Sequence, residues 1–278
     1  MDSGLGSAAD LRKTLGECID LARDRPSADG NRRLVYSNNV FKRQILAAYT
    51  ALSVFDPPKH DIPSLRGGRI YGDFPTAALI LRGMYECFLE GRYILMDTDF
   101  HNCRDVVIDA AILHAQRERL AMAKLERHRP HLLVSNAMSV LDTAASAMDN
   151  EQYSSLPTGV RNYIARATCL PNKAWHGKKL EKLALRAGIQ RSHHRSLYKY
   201  CSNHAHCNAY SLQQIGSVTS ASDVEGELVP GLCAYTIHML YFAVDLFRAV
   251  QQDEGYSVHL SQGLSEEVGD WKEFYAHP

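Results

Sequence analysis

Apolar residues recur along most of the chain at the three- and four-residue spacing of helices that bury one face. In the stretch Asn38 to Phe55, for example, Phe41, Ile45, Ala48 and Leu52 share one face. The same pattern predicts helices over residues 8–24, 76–96, 99–128, 130–148, 176–188, 193–215 and 229–252, with a short helix between Pro157 and Pro171. Strand-like alternation spans no more than a few residues. The sequence therefore predicts an all-α, multi-helix bundle.

A segment rich in proline and glycine, residues 56–75, interrupts the helical pattern and predicts a long loop. A strongly apolar helix follows it. We therefore expect a helical N-terminal extension with this loop over residues 1–70, a helical core over residues 71–252, and an acidic C-terminal tail over residues 253–278. The pattern does not settle the structure of the tail.

The composition is that of a globular protein, with 278 residues, of which 45% are hydrophobic and 22% charged. Its seven cysteines are odd in number and include no Cys-x-x-Cys pair, so we expect no disulfide framework and no structural zinc knuckle. The sequence has no Gly-x-Gly-x-x-Gly or Walker-type loop and no His-Glu-x-x-His, so we expect no cofactor or metal site. The N-terminus lacks the basic start and apolar run of a signal peptide. The most apolar stretch, Leu228 to Val244, contains Pro230 and His238, which favours a buried core helix over a membrane span. We expect a soluble, cytoplasmic protein.

Charge is distributed unevenly, although the formal net charge is zero. Residues 161–206 contain ten Lys or Arg, five His and a single acid, Glu181, whereas residues 217–278 contain ten acids and two bases. The zero net charge excludes a uniformly basic nucleic-acid binder but allows a local basic surface. Two interpretations stay open: the segments pack together and cancel their charges, or the basic window forms an anion-binding face.

Two candidate sites lie on predicted helices. In the first, Arg82 and Glu86 are four residues apart among apolar neighbours, so they share a helix face and are expected to pair. Such a pair either locks two helices together or lines a pocket.

In the second candidate site, Tyr198, Ser202 and His206 follow one another at four-residue spacing, and Lys199 lies seven residues before His206. A histidine that met the Arg82–Glu86 helix could act as a general acid or base, and a satisfied core histidine is the alternative.

These segments resemble a bacterial all-helical family catalogued as a domain of unknown function. That family has a helix reading roughly Leu-x-Arg-x-x-x-Glu, here Leu81 to Glu86, and a later Tyr-Arg-x-Leu-Ser-x-x-x-His, here Tyr198 to His206. A tryptophan before the intervening short helix, here Trp175, completes the likeness over residues 70–250. Lys199 stands where the family usually has Arg, and Cys201 where it usually has Leu.

The Arg-x6-His spacing is also similar to the signature of HEPN ribonucleases (higher eukaryotes and prokaryotes nucleotide-binding). These are helical bundles, usually dimeric, of toxin–antitoxin and phage-defence systems. The resemblance implies a HEPN-like fold, a homodimer and metal-independent cleavage of RNA, for which the ribose 2′-OH needs a base and the phosphorane a cation. Arg186 and His193 show the same spacing and rank second.

The prediction is therefore an endoribonuclease or nucleotide-acting protein with no membrane partner, whose basic window of residues 161–206 binds RNA or a nucleotide. His206, Lys199, Arg82 and Glu86 are the predicted catalytic residues, and Tyr198, Ser202, Asn203 and Arg195 the predicted substrate contacts. The alternatives are a non-enzymatic interaction module, in which Arg82, Glu86 and His206 form a buried polar lock, and a binder of a small anionic ligand.

Overall fold

The computed structural model describes residues 6–25, 30–55, 74–125, 130–166, 175–205 and 229–277. Across these ranges it forms ten α-helices and no strand, which confirms the predicted all-α class. The helices are α1 (Ala8–Arg23), α2 (Arg32–Phe55), α3 (Phe74–Met96), α4 (Arg104–Leu125), α5 (Pro130–Asp149), α6 (Thr158–Ala165), α7 (Leu180–Arg186), α8 (Arg191–Ala205), α9 (Val229–Asp253) and α10 (Gln262–Ala276). Two short 3₁₀ turns cover Thr98–Phe100 and Glu151–Ser155.

Two helix boundaries differ from the predicted ones. Residues 99–128 do not form one helix: a 3₁₀ turn at Thr98–Phe100 precedes α4, which begins at Arg104. The side chain of Asp97 caps this turn by accepting a hydrogen bond of 2.9 Å from the backbone N–H of Asp99. The second difference concerns α2, which begins at Arg32 rather than Asn38. Of the predicted loop over residues 56–75, residues 56–73 lie outside the described residues, and Phe74 and Pro75 belong to α3. Residues 206–228, which include the end of the helix predicted over residues 193–215, also lie outside them.

The C-terminal segment after Gly255 contains a further helix, α10. The hydroxyl of Ser261 caps its start by accepting a hydrogen bond of 3.2 Å from the backbone N–H of Leu264. Leu264, Val268 and Tyr275 are its buried positions, and they cover α9. The segment is therefore folded onto the bundle.

Three long helices, α2, α3 and α9, pack against one another and form the centre of the core. Stacked aromatic rings join them: Phe41 of α2 lies 4.6 Å from Phe247 of α9, and Phe88 of α3 lies 4.9 Å from Phe242 of α9. Around this centre, α1 packs on α2 and α9, α8 packs on α3, and the α4–α5 hairpin is the most extensive remaining helix pair.

Arg33 on α2 connects the ends of the three central helices. It is 3% exposed, and its guanidinium donates to the backbone carbonyl of Leu95 at 2.7 and 3.1 Å. It also pairs with Asp253 and, at 2.6 Å, with Glu254 at the end of α9. Because each donor of this buried cation faces a carbonyl or carboxylate, the charge is compensated where it lies.

Helix α9 is the one helix in the described ranges that is long and apolar enough to cross a membrane. Within the protein, however, 72% of its apolar window is buried against other helices. This burial confirms the predicted core helix, and the cytoplasmic location stays a prediction.

Candidate functional site

The candidate site lies where α3 and α8 cross, at the polar edge of an otherwise apolar contact. On α3, Leu81, Met84, Tyr85 and Phe88 are buried, whereas Arg82 lies at the edge of this face with a 24% exposed side chain. Helical periodicity explains the arrangement, because positions three and four residues apart turn inward while Arg82 turns toward the rim. The helix therefore presents a charged residue beside α8 without burying it fully.

Arg82 is held by two partners. Its Nε donates to Oε1 of Glu86 at 2.8 Å, which confirms the pairing predicted from the four-residue spacing. A terminal nitrogen donates to the hydroxyl of Tyr198 on α8, also at 2.8 Å. The hydrogen bond that Arg82 donates to Glu86 is the largest cause of the raised Arg82 pKa, so the guanidinium is charged at every physiological pH. The result is a fixed cation at the joint of the two helices.

Exposed cations line the outer side of α8. Arg191, Arg195 and Lys199 are exposed and follow one another at four-residue spacing, so they form one row, which we call the α8 basic row. Glu181 pairs with Arg191 at 2.6 Å and with Arg195 at 3.4 Å. Lys199 has no ion-pair partner among the residues described, and α8 itself carries no acid. The row therefore retains a net positive charge.

The remaining predicted residues lie near the end of α8. Ser202 and Asn203 are half-buried, and the Ser202 hydroxyl is buried with no hydrogen-bond partner in the described structure. His206, the predicted acid or base, lies outside the described residues. The structure thus brings Arg82, Glu86 and Tyr198 together, with Lys199 exposed on the next position of α8, and the place of His206 stays a prediction.

The second-ranked pair, Arg186 and His193, is engaged in other contacts. Arg186 donates to both carboxylate oxygens of Asp97, at 2.5 and 2.6 Å, and lies 2.7 Å from Asp99. His193 stacks on Phe274 of α10 with ring centroids 4.8 Å apart. Both side chains therefore have packing and pairing roles in the fold.

A buried pair of side chains, which the sequence analysis missed, lies next to this joint between α3 and α8. The hydroxyl of Tyr85 on α3 lies 2.8 Å from Nδ1 of His194 on α8, and the His194 ring stacks on Tyr198 at 5.7 Å. Burial raises the pKa of Tyr85 and is the largest cause of the lowered pKa of His194, so both are neutral at pH 7. The sequence contained one indication of this pair, because His194 lies four residues before Tyr198 and so on the same face of α8.

The acids that neutralise the basic window come from two places in the described structure. Asp97 and Asp99, before α4, pair with Arg186, and Asp99 also lies 3.6 Å from Lys178. Within the window itself, Glu181 pairs with the α8 basic row. Of the described acids in residues 217–278, Asp245, Asp253 and Glu254 pair elsewhere, with Arg33, Arg92, Arg104 and Lys272. The two segments do touch at α10, but these ion pairs do not join them.

A cavity of about 640 Å³ opens on the other side of Glu86, between α2, α3 and α4. It is lined by apolar and polar side chains together, including Tyr36 and Arg43 of α2, Cys87 and Glu90 of α3, and Ile112 of α4. Glu90 accepts a hydrogen bond of 3.0 Å from Nε1 of the buried Trp175. The tryptophan noted in the sequence therefore binds to the C-terminal part of α3. The periodicity of the sequence does not predict this cavity, because its size depends on the angles between α2, α3 and α4.

Comparison with known proteins places the chain in a family. A family model described as a family of unknown function, DUF5677, matches residues 71–223, which is more than half of the chain. The chain belongs to the DUF5677 family. This confirms the predicted membership in a family of unknown function, and the described residues of this chain are helical. No curated protein and no solved structure matches the chain.

The DUF5677 match spans α3 to α8 and so contains Arg82, Glu86, Trp175 and Tyr198. The central helices α2 and α9, against which α3 packs, lie outside the matched residues. The site thus lies within the family region, and its supporting core does not.

Proposed function

We propose that this chain binds RNA, or the phosphates of a nucleotide, at the α3–α8 joint and cleaves RNA without a metal ion. The observation that carries the proposal is the charge arrangement at the joint. Arg82 is a fixed, permanently charged guanidinium, and Lys199 is an exposed ammonium on the neighbouring helix with no acidic partner in the described structure. Two cations on adjoining helices suit a phosphate group.

The proposed reaction is an internal transfer at phosphorus. His206 acts as the base that takes the proton from the ribose 2′-OH, and the 2′ oxygen forms a bond to phosphorus. The bond from phosphorus to the 5′ oxygen breaks, and that oxygen takes up a proton from water and leaves as a 5′-hydroxyl, while His206 releases to water the proton that it took from the 2′-OH. The products are a 2′,3′-cyclic phosphate and a 5′-hydroxyl end. Lys199 and Arg82 stabilise the charge on the phosphorane, and Glu86 holds Arg82 in position.

The α8 basic row supplies the long-range attraction. Arg195 and Lys199 lie on the same row as Arg191, so three cations cover about 12 Å of helix length at 1.5 Å per residue. Tyr198 and Asn203 lie beside this row and are the proposed substrate contacts. Binding through such a row weakens as salt concentration rises, because the released counterions oppose it. A place in a toxin–antitoxin or phage-defence system would follow from cleavage and is part of the same proposal.

The test compares wild-type protein with His206→Ala and Lys199→Ala on total RNA and tRNA in the presence of EDTA. Wild-type protein should produce 2′,3′-cyclic phosphate ends, His206→Ala none, and Lys199→Ala about 10²–10³-fold fewer. Lys13→Ala is the matched control, because Lys13 is an exposed lysine on α1, which packs on α2 and α9. Cleavage by His206→Ala at the wild-type rate overturns the proposal.

The same variants separate cleavage from the polar-lock alternative. If no variant and no wild-type protein cleaves RNA, and His206→Ala lowers the melting temperature, the joint is a structural lock. Salt-sensitive RNA binding that Lys199→Ala weakens and Lys13→Ala does not, without products, retains the binding half of the proposal and removes the catalytic half.

A second candidate function, binding of a small anionic ligand, is favoured by the cavity beside Glu86. Arg43 lines it without an ion-pair partner among the described residues, and 640 Å³ is within the size range of ligand pockets. Gly83 also lines it, and a Cβ at Gly83 would meet no atom within 4 Å. Nucleoside mono-, di- and triphosphates and inorganic phosphate are the probes. Binding would raise the melting temperature of wild-type protein, and Gly83→Trp should abolish that rise.

A further inference from the structure

Helix α5 exposes a regular apolar stripe. Val134, Met138, Leu141 and Met148 are 59%, 59%, 51% and 43% exposed, and Ala145 is exposed between the last two. The intervals along this stripe are four, three, four and three residues. That is the spacing of the seam through which one helix packs along another in a coiled coil. We call these five residues the α5 seam.

The α5 seam is separate from the face that holds α5 in the bundle. Val140, Ala144 and Ala147 are the buried positions of α5, and they face α4 and its neighbours. The exposed positions next to the seam are His131, Asp142 and Asp149, and the exposed serines Ser135, Ser139 and Ser146 lie farther around the helix. A helix of 20 residues therefore has two apolar faces, one of which has no partner in the described structure.

The charges on α5 match a second copy of the same helix. Of the charged or titratable residues on α5, His131 lies near its start and Asp149 is its last residue, whereas Asp142 follows Leu141 directly and, in a pair centred on Leu141, would lie near the Asp142 of the other copy. At 100° per residue, His131 and Asp149 lie at the same angle around the helix, on one flank of the seam. In an antiparallel pair related by a two-fold axis, this flank faces itself, so His131 of one copy lies opposite Asp149 of the other. The acidic end also meets the N-terminal end of the partner helix, which favours negative charge.

The apolar positions fit the same arrangement. With the axis at Leu141, the two Leu141 side chains meet each other, Val134 lies opposite Met148, and Met138 lies opposite Ala145. A long side chain thus faces a short one at each off-axis layer, as close packing requires. Met122 and Leu125, 57% and 83% exposed at the end of α4, add apolar surface at the start of α5.

We propose that α5 is a self-association surface, through which two copies of this chain pack α5 against α5 in antiparallel fashion about Leu141. The resemblance to HEPN ribonucleases implies a homodimer without specifying a surface on this chain, whereas the α5 seam assigns one. The proposal is independent of RNA cleavage.

Light scattering during size-exclusion chromatography tests the association on the full chain. Wild-type protein should have the mass of a dimer, and the double variant Met138→Asp/Leu141→Asp that of a monomer with an unchanged circular dichroism spectrum, because both positions are exposed in the single chain. The double variant Ser135→Asp/Ser139→Asp is the matched control: it adds the same charge on exposed positions of α5 away from the seam. A wild-type monomer at 100 µM (about the upper end of the assay), or a dimer that survives the double variant, overturns the proposal.

Cysteine cross-linking tests the antiparallel geometry. A cysteine at position 141 lies on the axis, so Leu141→Cys should form a covalent dimer under mild oxidation. Val134→Cys should not, because the two copies of position 134 would be about 21 Å apart at 1.5 Å per residue. The unmodified chain under the same oxidant controls for its native cysteines. Cross-linking of Val134→Cys as efficient as that of Leu141→Cys would indicate parallel helices and contradict the arrangement.

Discussion

The hydroxyl of Tyr85 and Nδ1 of His194 lie 2.8 Å apart in the buried contact between α3 and α8. Tyr85→Phe removes the hydroxyl and leaves the imidazole nitrogen without its partner. A buried polar atom left unpaired costs about 1–3 kcal/mol, so the free energy of unfolding in urea should fall by that amount. Tyr49→Phe is the control, because Tyr49 is 63% exposed, and it should change stability little. Equal effects of the two variants would mean that the pair contributes nothing.

The contacts of Arg33 predict that the bundle depends on α2 for its stability. Arg33→Ala removes a buried cation that compensates Asp253 and Glu254 and satisfies the Leu95 carbonyl. Loss of one partner in a buried ionic network costs about 3–5 kcal/mol, and the melting temperature should fall accordingly. Arg23→Ala breaks an exposed pair with Asp20, so it should cost no more than about 1 kcal/mol. A mild Arg33→Ala phenotype would show that α2 can detach without unfolding the rest.

Two glycines on α3 should respond differently to alanine. A Cβ at Gly83 meets no atom within 4 Å, so Gly83→Ala should stabilise the protein by about 0.5–1 kcal/mol through helix propensity. A Cβ at Gly91 would lie 3.1 Å from Cγ1 of Val40, so in Gly91→Ala the Val40 side chain must move by a few tenths of an ångström. Thermal unfolding should therefore rank Gly83→Ala above Gly91→Ala. The opposite order would mean that the helices are closest near Gly83.

His238 predicts a loss of stability in mild acid. Burial lowers the pKa of His238 to about 3, and its Nδ1 lies 3.0 Å from the Tyr275 hydroxyl. Between pH 6.5 and pH 3 the unfolded chain binds a proton here that the folded chain does not. Stability is therefore complete above pH 6.5 and falls as the pH decreases, by up to about 1.4 kcal/mol per pH unit for this one proton.

Urea unfolding between pH 4.5 and 7.5 measures this slope. The hydrogen bond from Arg33 is the largest cause of the lowered pKa of Asp253. In the folded protein Asp253 therefore takes up its proton below this pH range. His238→Gln should flatten the slope by about one proton, whereas His259→Gln, at an exposed histidine, should leave it unchanged. An unaltered slope in His238→Gln would place the responsible proton on another group, such as His194.

Local spacing predicted most helices because each has one buried face, and that face repeats every three or four residues. It failed at residues 99–128, since the apolar positions continue in phase across the 3₁₀ turn that Asp97 caps. The helix α10 was detectable in principle, because Leu264, Val268 and Tyr275 repeat at helical intervals. Its polar neighbours obscured that repeat.

In the candidate site, likewise, local spacing predicts some contacts and leaves others undetermined. The Arg82–Glu86 pair follows from spacing within one helix, and the structure confirms it. The contacts of Arg82 with Tyr198 and of Tyr85 with His194 join positions more than 100 residues apart in the chain. They depend on how α3 and α8 are rotated against each other, which the periodicity of either helix alone leaves undetermined.

The position of α3 between α2 and α9 has a practical consequence for producing this protein. A fragment cut at the limits of the DUF5677 match, residues 71 and 223, would lack both neighbours. Phe88 would lose the ring of Phe242, and the Leu95 carbonyl would lose Arg33. Such a fragment would expose the apolar side of α3, which is the longest described helix in the matched region, and it should aggregate. The unit that folds, and on which any activity should be assayed, is larger than the unit that the family shares.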